Sequence, residues 1–152
     1  MKCFKCKANR LAPVAVAERV MVGGHTFTGK VAARKCGRCG EVVLHGPALE
    51  RFELLAAAKL AEAGEASGEA YKFMRKAAGL RGADLAALLA VAGETVSRWE
   101  TGALPVERRA VALLGAIVME AAAGRTSTLD RLRALEAPAK LPKVVKVRTK
   151  AA

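Results

Sequence analysis

Residues 73–105 read FMRKAAGLRGADLAALLAVAGETVSRWETGALP, and the rest of the chain is arranged around them. Phe73, Met74 and Ala77 recur at helical spacing and stop at Gly79, a residue type that takes the left-handed conformation ending many helices. Leu85, Leu88 and Leu89 predict a second short helix starting near Ala83–Asp84. Val91-Ala92-Gly93 predicts a tight break, and a third helix is expected from about Glu94 to Thr101. In that helix Val96 and Trp99 face inward while Glu94, Thr95, Ser97 and Arg98 face out, and Gly102 and Pro105 close the unit. Three short helices with a turn of three or four residues before the last match a helix-turn-helix. In such a unit the last helix enters the DNA major groove and its early residues reach base edges.

GLRGADLAALLAVAGETVSRWETGALP resembles the Xre/Cro-type helix-turn-helix, most specifically at Thr95-Val96-Ser97-Arg98-Trp99-Glu100 with Gly102 and Pro105. The resemblance implies a five-helix domain that binds double-stranded DNA. It places Gly93, Glu94, Thr95, Ser97 and Arg98 at the DNA-reading end. Where the family usually opens its second helix with Thr-Gln, this chain has Arg81-Gly82, so Arg81 is expected to replace an amide contact to the DNA backbone with a charge. Glu94 can accept from cytosine N4, and Arg98 can bond guanine O6 and N7 as a bidentate pair.

All four cysteines lie in residues 1–46, as Cys3-Phe4-Lys5-Cys6 and Cys36-Gly37-Arg38-Cys39. Two CxxC pairs suit one tetrahedral Zn²⁺, because each tight turn presents two thiolates and two turns close the shell at four sulfurs. The gap of 29 residues is longer than usual, and its content reads as a β-hairpin. Val14, Val16, Val20 and Val22 alternate, Gly23-Gly24 signals the turn, a second run follows from His25 to Ala33, and Glu41–Leu44 can add a third strand. A closed four-thiolate shell leaves no place for a catalytic water, so the zinc is expected to be structural. A redox-active CxxC is the alternative, and no βαβ pattern accompanies it. His25 and His45 are not needed as ligands.

Gly46-Pro47 opens a helix, expected to connect the two modules, with Leu49, Phe52, Leu55 and Leu60 as its apolar stripe and Gly64 as its end. Glu65-Ala66-Ser67-Gly68 reads as a flexible joint, with Ser67 capping the next helix. Beyond the helix-turn-helix, Val106–Ala123 form a long helix whose apolar side is wider than one small domain requires. Leu113, Leu114, Ile117 and Val118 are therefore expected to form a homodimer seam, in keeping with a protein that reads paired half-sites. Ser127 is expected to cap a last helix carrying Leu129, Leu132 and Leu135. The tail from Ala137 has five Lys/Arg, two prolines and no acid, and reads as a disordered arm able to track phosphates. The expected organisation is thus a zinc module over 1–46, a connecting helix and linker over 47–68, helix-turn-helix and dimerisation helices over 69–136, and a basic tail over 137–152. The fold class is mainly α with a small β-rich, zinc ribbon-like module.

The net charge of +12 is uneven: +8 over residues 1–40, −4 over 41–69, +2 over 70–120 and +6 over 121–152. Such an excess favours a polyanionic partner. No apolar leader precedes Cys3, and the longest apolar run, Ala110–Met119, is too short to cross a bilayer, which predicts a cytoplasmic protein without a membrane partner. A reducing cytoplasm in turn favours thiols that hold metal. No Ser/His/Asp set, phosphate-cradling glycine loop or paired-carboxylate motif points to an enzyme.

The two CxxC pairs about thirty residues apart, followed by SRWE-x-G, together resemble the MqsA (YgiT-type) antitoxin family over about residues 1–120. The resemblance implies that Cys3, Cys6, Cys36 and Cys39 hold zinc, that the zinc module binds a ribonuclease toxin, and that the helix-turn-helix dimer represses its own operon. The family often has Asn where Glu94 stands, so a different operator is expected. The reading is a zinc-stabilised, sequence-specific repressor. The alternatives are an antitoxin that neutralises a toxin, and an RNA-binding zinc-ribbon protein.

Overall fold

The computed structural model describes residues 1–148. A three-stranded antiparallel sheet in the order β1-β2-β3 comes first: β1 spans Leu11–Val22, β2 His25–Cys36 and β3 Val42–Leu44. Gly23 and Gly24 both have positive φ, +58° and +78°, as a two-residue hairpin turn matching strand twist requires. The register pairs Val14 with Ala33, Val16 with Val31 and Val20 with Phe27, so the alternating valines share one face. Val22, Val31 and Ala33 are buried on that face.

Six helices follow: α1 Gly46–Glu62, α2 Gly68–Ala77, α3 Gly82–Leu88, α4 Gly93–Glu100, α5 Arg108–Ala122 and α6 Ser127–Glu136. Pro47 sits in the first turn of α1, where its missing N–H costs nothing. The Ser67 hydroxyl accepts the Ala70 N–H at 3.3 Å and caps α2. Gly79, at φ +71°, ends that helix as expected.

α1 is part of the core. It packs along α5, on α2 and on β2, and the side it buries is Ala56, Ala57, Ala58 and Leu60. The expected stripe is corrected here: Leu55 is 45% exposed. Small side chains let two helices approach closely; the Ala61 methyl faces Gly115 of α5, within 3.6 Å of where a Cβ would stand. The wide apolar side of α5 is thereby satisfied within one chain. Leu114, Ile117 and Val118 are 0%, 3% and 0% exposed and Leu113 is half-buried, so the surface expected to hold a second copy is already covered.

The Glu65–Gly68 joint is also fixed in place. A Cβ on Gly68 would overlap the carbonyl oxygens of Trp99 and Glu100, so α2 starts hard against the end of α4. The hairpin tip docks on the same loop, with Gly23 beside the Ser67 hydroxyl and Val22 in the helical core. At the last helix the expected Ser127 cap is replaced. Thr126 holds the cap position, and the Glu120 carboxylate of α5 takes the Thr128 N–H at 2.7 Å and its hydroxyl at 2.9 Å. Leu135 is 67% exposed, leaving Leu129 and Leu132 to seat α6. Residues 137–148 form no helix or strand, and the end of the expected tail, 149–152, lies outside the described residues. Among the described residues no helix is long and apolar enough to cross a membrane.

Candidate metal centre and nucleic-acid interface

The register that pairs Leu11 with Cys36 brings the amino terminus onto the end of β2, and Gly37 N–H donates to the Arg10 carbonyl at 2.8 Å. Two turns of the same design then face each other. In the first, Lys7 N–H donates to the Cys3 carbonyl and Cys3 N–H to the Ala8 carbonyl, both at 2.9 Å. In the second, Gly40 N–H donates to the Cys36 carbonyl at 2.9 Å and Cys36 N–H to the Glu41 carbonyl at 2.8 Å. The residue after each second cysteine is left-handed, Lys7 at φ +60° and Gly40 at φ +74°. The second position was legible as glycine. The first was not, because a lysine there gives no signal of positive φ.

These turns place the Sγ atoms of Cys3, Cys6, Cys36 and Cys39 within 4.8 Å of one another. Cys3 and Cys39 are 3.7 Å apart and Cys6 and Cys36 3.6 Å, too far for a disulfide. A tetrahedral ion with metal–sulfur bonds of about 2.3 Å needs sulfur–sulfur edges of roughly 3.8 Å. The donor set therefore fits such a metal ion. Cys3 and Cys36 are buried, and Cys39 is exposed. The backbone N–H groups of Cys39 and then Arg38 pull the Cys36 thiol down to about 6, ahead of the opposing effect of burial. Cys39 receives a backbone N–H from Glu41, but desolvation and the three neighbouring thiols outweigh it and push the group up to about 12. Four thiolates cannot share this space without a cation, so binding an ion must displace protons. His25 is near Glu65, at 4.0 Å, and His45 N–H bonds the Ala32 carbonyl; neither joins the cluster.

The second candidate surface is on α4. Val96 and Trp99 are 1% and 2% exposed, and the indole meets Tyr71 edge to face with ring centroids 5.9 Å apart. Glu94, Ser97 and Arg98 fall at helical spacing on the opposite, exposed face. Gly93 begins the helix with open space where a Cβ would stand. Thr95, expected to face out, is half-buried. Arg98 donates to Glu94 at 2.5 Å across one turn. Arg81 stands apart at the start of α3, where Asp84 accepts its backbone N–H at 3.0 Å and its guanidinium at 2.9 and 2.8 Å. Its charge is thus paired locally, while the side chain stays 83% exposed.

The anchor of α4 is a pair that sequence reasoning missed. Arg75 of α2 donates to both carboxylate oxygens of Glu100, from Nε and from Nη2 at 2.9 Å, and its Nη1 donates to the Leu80 carbonyl at 2.8 Å. Partners twenty-five residues apart leave no periodic trace. The only sign was a charged residue, Glu100, adjoining the inward Trp99.

No protein-family model matches the chain, and no curated protein matches it. The likeness to the MqsA-type antitoxins therefore rests on the motifs quoted above.

Proposed function

We propose that this chain is a sequence-specific DNA-binding transcriptional regulator, with α4 as the recognition helix and one structural Zn²⁺ held by Cys3, Cys6, Cys36 and Cys39. The observation that carries the reading is the two-sided character of α4. Its inner side is locked by Val96, Trp99 and the Arg75–Glu100 pair, while Glu94, Ser97 and Arg98 stand exposed on the other. A rigid helix presenting polar groups from its first two turns suits direct readout of a major groove. The net charge of +12 supplies the sequence-independent attraction. Zinc is the metal chosen because four thiolates select a thiophilic ion with tetrahedral preference. A fluorescence titration of the full chain against its own upstream DNA and a scrambled duplex of equal length tests the reading. Preference for the first supports it, and equal affinity, or preference for RNA, refutes it. Elemental analysis of the purified protein should give one zinc per chain.

A second reading, an antitoxin whose metal module also engages a protein toxin, is favoured by one observation. Phe4 is 62% exposed within the first CxxC turn, and the edge strand β3 shows Val42 and Leu44 at 42% and 37%. Exposed apolar groups beside an open strand edge suit a protein partner. Co-purification with the product of an adjacent reading frame, lost on Phe4→Ser, is its test.

A further inference from the structure

The outer face of the β1–β2 hairpin takes no part in the DNA reading. Side chains alternate between the two faces, and from Ala15 to Met21 and from Thr26 to Arg34 every outward residue is exposed. Arg19, Lys30 and Arg34 are among them, and no acid is. Glu18, the one acid of residues 1–40, stands at an inward position, and its carboxylate accepts the Arg19 backbone N–H at 3.2 Å. Among the described residues none of the three cations enters an ion pair. Ala15, Ala17 and Ala32 keep the surface between them low. A face that only meets water normally intersperses both signs of charge. This one carries a single sign.

The cations form a track. Lys30 and Arg34 are four residues apart on β2, about 13 Å. Arg19 pairs with Thr28, which places it about 7 Å beyond Lys30 on the side away from Arg34. Followed the other way, the track reaches Cys36 and the metal centre. The facing turn there carries Phe4, 62% exposed, with Lys2 and Lys7 exposed and outside any ion pair among the described residues. Cations set out in a line suit a linear polyanion, and an exposed ring at their end takes the face of an unpaired base. Thr26 and Thr28 add hydroxyls to the same face, partners for the 2′-OH that separates RNA from DNA.

We propose that this face binds single-stranded RNA, with phosphates along Arg19, Lys30 and Arg34 and a base stacked on Phe4. A duplex offers the phosphates but keeps its bases paired, so it cannot use the ring. The site lies apart from α4 and stands whether or not α4 reads DNA. It is a second activity, weaker than binding of the upstream duplex.

Fluorescence anisotropy of the full chain with a labelled oligouridine of about twelve nucleotides tests it, at two salt concentrations. Lys30→Gln with Arg34→Gln should weaken binding roughly tenfold at low salt and reduce the salt slope by about 1.4. Phe4→Ala should weaken it about tenfold and leave that slope unchanged. Arg98→Ala should leave oligouridine binding as it is, and the Lys30/Arg34 variant should still discriminate between the upstream and scrambled duplexes. Failure of one reading therefore leaves the other intact. Phe4, Lys30 and Arg34 are exposed, so these variants keep the fold, which an unchanged zinc content and melting temperature check. Oligouridine binding indifferent to both sets of variants would overturn the proposal. So would a scrambled duplex that binds as tightly through the same cations, a deoxy strand that binds more tightly, or polyglutamate that competes as well as oligouridine.

Discussion

Arg75 and Glu100 form a two-armed ion pair, each side chain only 10% exposed, that ties α2 to the end of α4. Removing one partner of such a pair leaves the other charged and buried. Glu100→Ala should therefore cost about 3–5 kcal/mol of stability, read from denaturant unfolding. Replacing both residues by apolar ones of similar volume, Arg75→Met with Glu100→Leu, should restore most of it. Additive losses in the double variant would show that the pair does not act as a unit.

Gly68 starts α2 where a side chain has no room. Alanine is normally the better helix residue, yet Gly68→Ala must push the Trp99 and Glu100 carbonyls aside. The expected loss is about 1–3 kcal/mol, seen as a lower melting temperature. Gly82→Ala, with open space around the new Cβ, is the control and should be neutral or slightly stabilising. Equal effects at the two positions would contradict the close packing.

These two sites show where the sequence was mute. Gly68 looked like a joint because Glu-Ala-Ser-Gly is joint-like in composition, and nothing local reveals the carbonyls of residues 99 and 100 above it. The alanines of α1 were equally unreadable. A stripe drawn through leucines put Leu55 inside, whereas Ala56, Ala57 and Ala58 bury by allowing close approach to α5. The same oversight made α5 look too apolar for one chain. By contrast, the CxxC turns, the Gly23-Gly24 hairpin, the Ser67 cap and the inward Val96 and Trp99 were legible, since each depends on contacts within a few residues or on a strict period.

The Arg81–Asp84 interaction should make the start of α3 sensitive to acid. The Arg81 guanidinium, then its backbone N–H, hold the Asp84 carboxyl down at about 2. A carboxyl whose folded pKa lies below its unfolded value stabilises the fold above the unfolded value, near 4, and loses that contribution as pH falls through about 2. The stability difference between the native chain and Asp84→Asn should thus be full at pH 5 and above, and shrink toward pH 2. A difference that grows on acidification would reverse the assignment.

Metal removal should reach beyond the cysteine turns. The helical core contains none of the four cysteines, but Val22 is buried in it and Val20 and Phe27 pack against it. Chelation should free the amino terminus, fray β1 and β2 from the Cys36 end, and lower the melting temperature of the helices without unfolding them outright. Circular dichroism melts with and without chelator check this. An unchanged helical transition would mean that the hairpin tip holds whatever happens at the cysteine end.

The proposed DNA-reading role of α4 stands or falls with Arg98, which is exposed, paired to Glu94 and backed by the buried Trp99. The measurement is the ratio of affinities for the chain's own upstream duplex and a scrambled duplex, at two salt concentrations, for the native chain and Arg98→Ala. Arg98→Ala should weaken the upstream duplex by about 1–3 kcal/mol and blur one base position, leaving the scrambled duplex nearly unaffected. Equal weakening of both duplexes would reduce Arg98 to a phosphate contact. A native chain that prefers neither duplex would contradict the account.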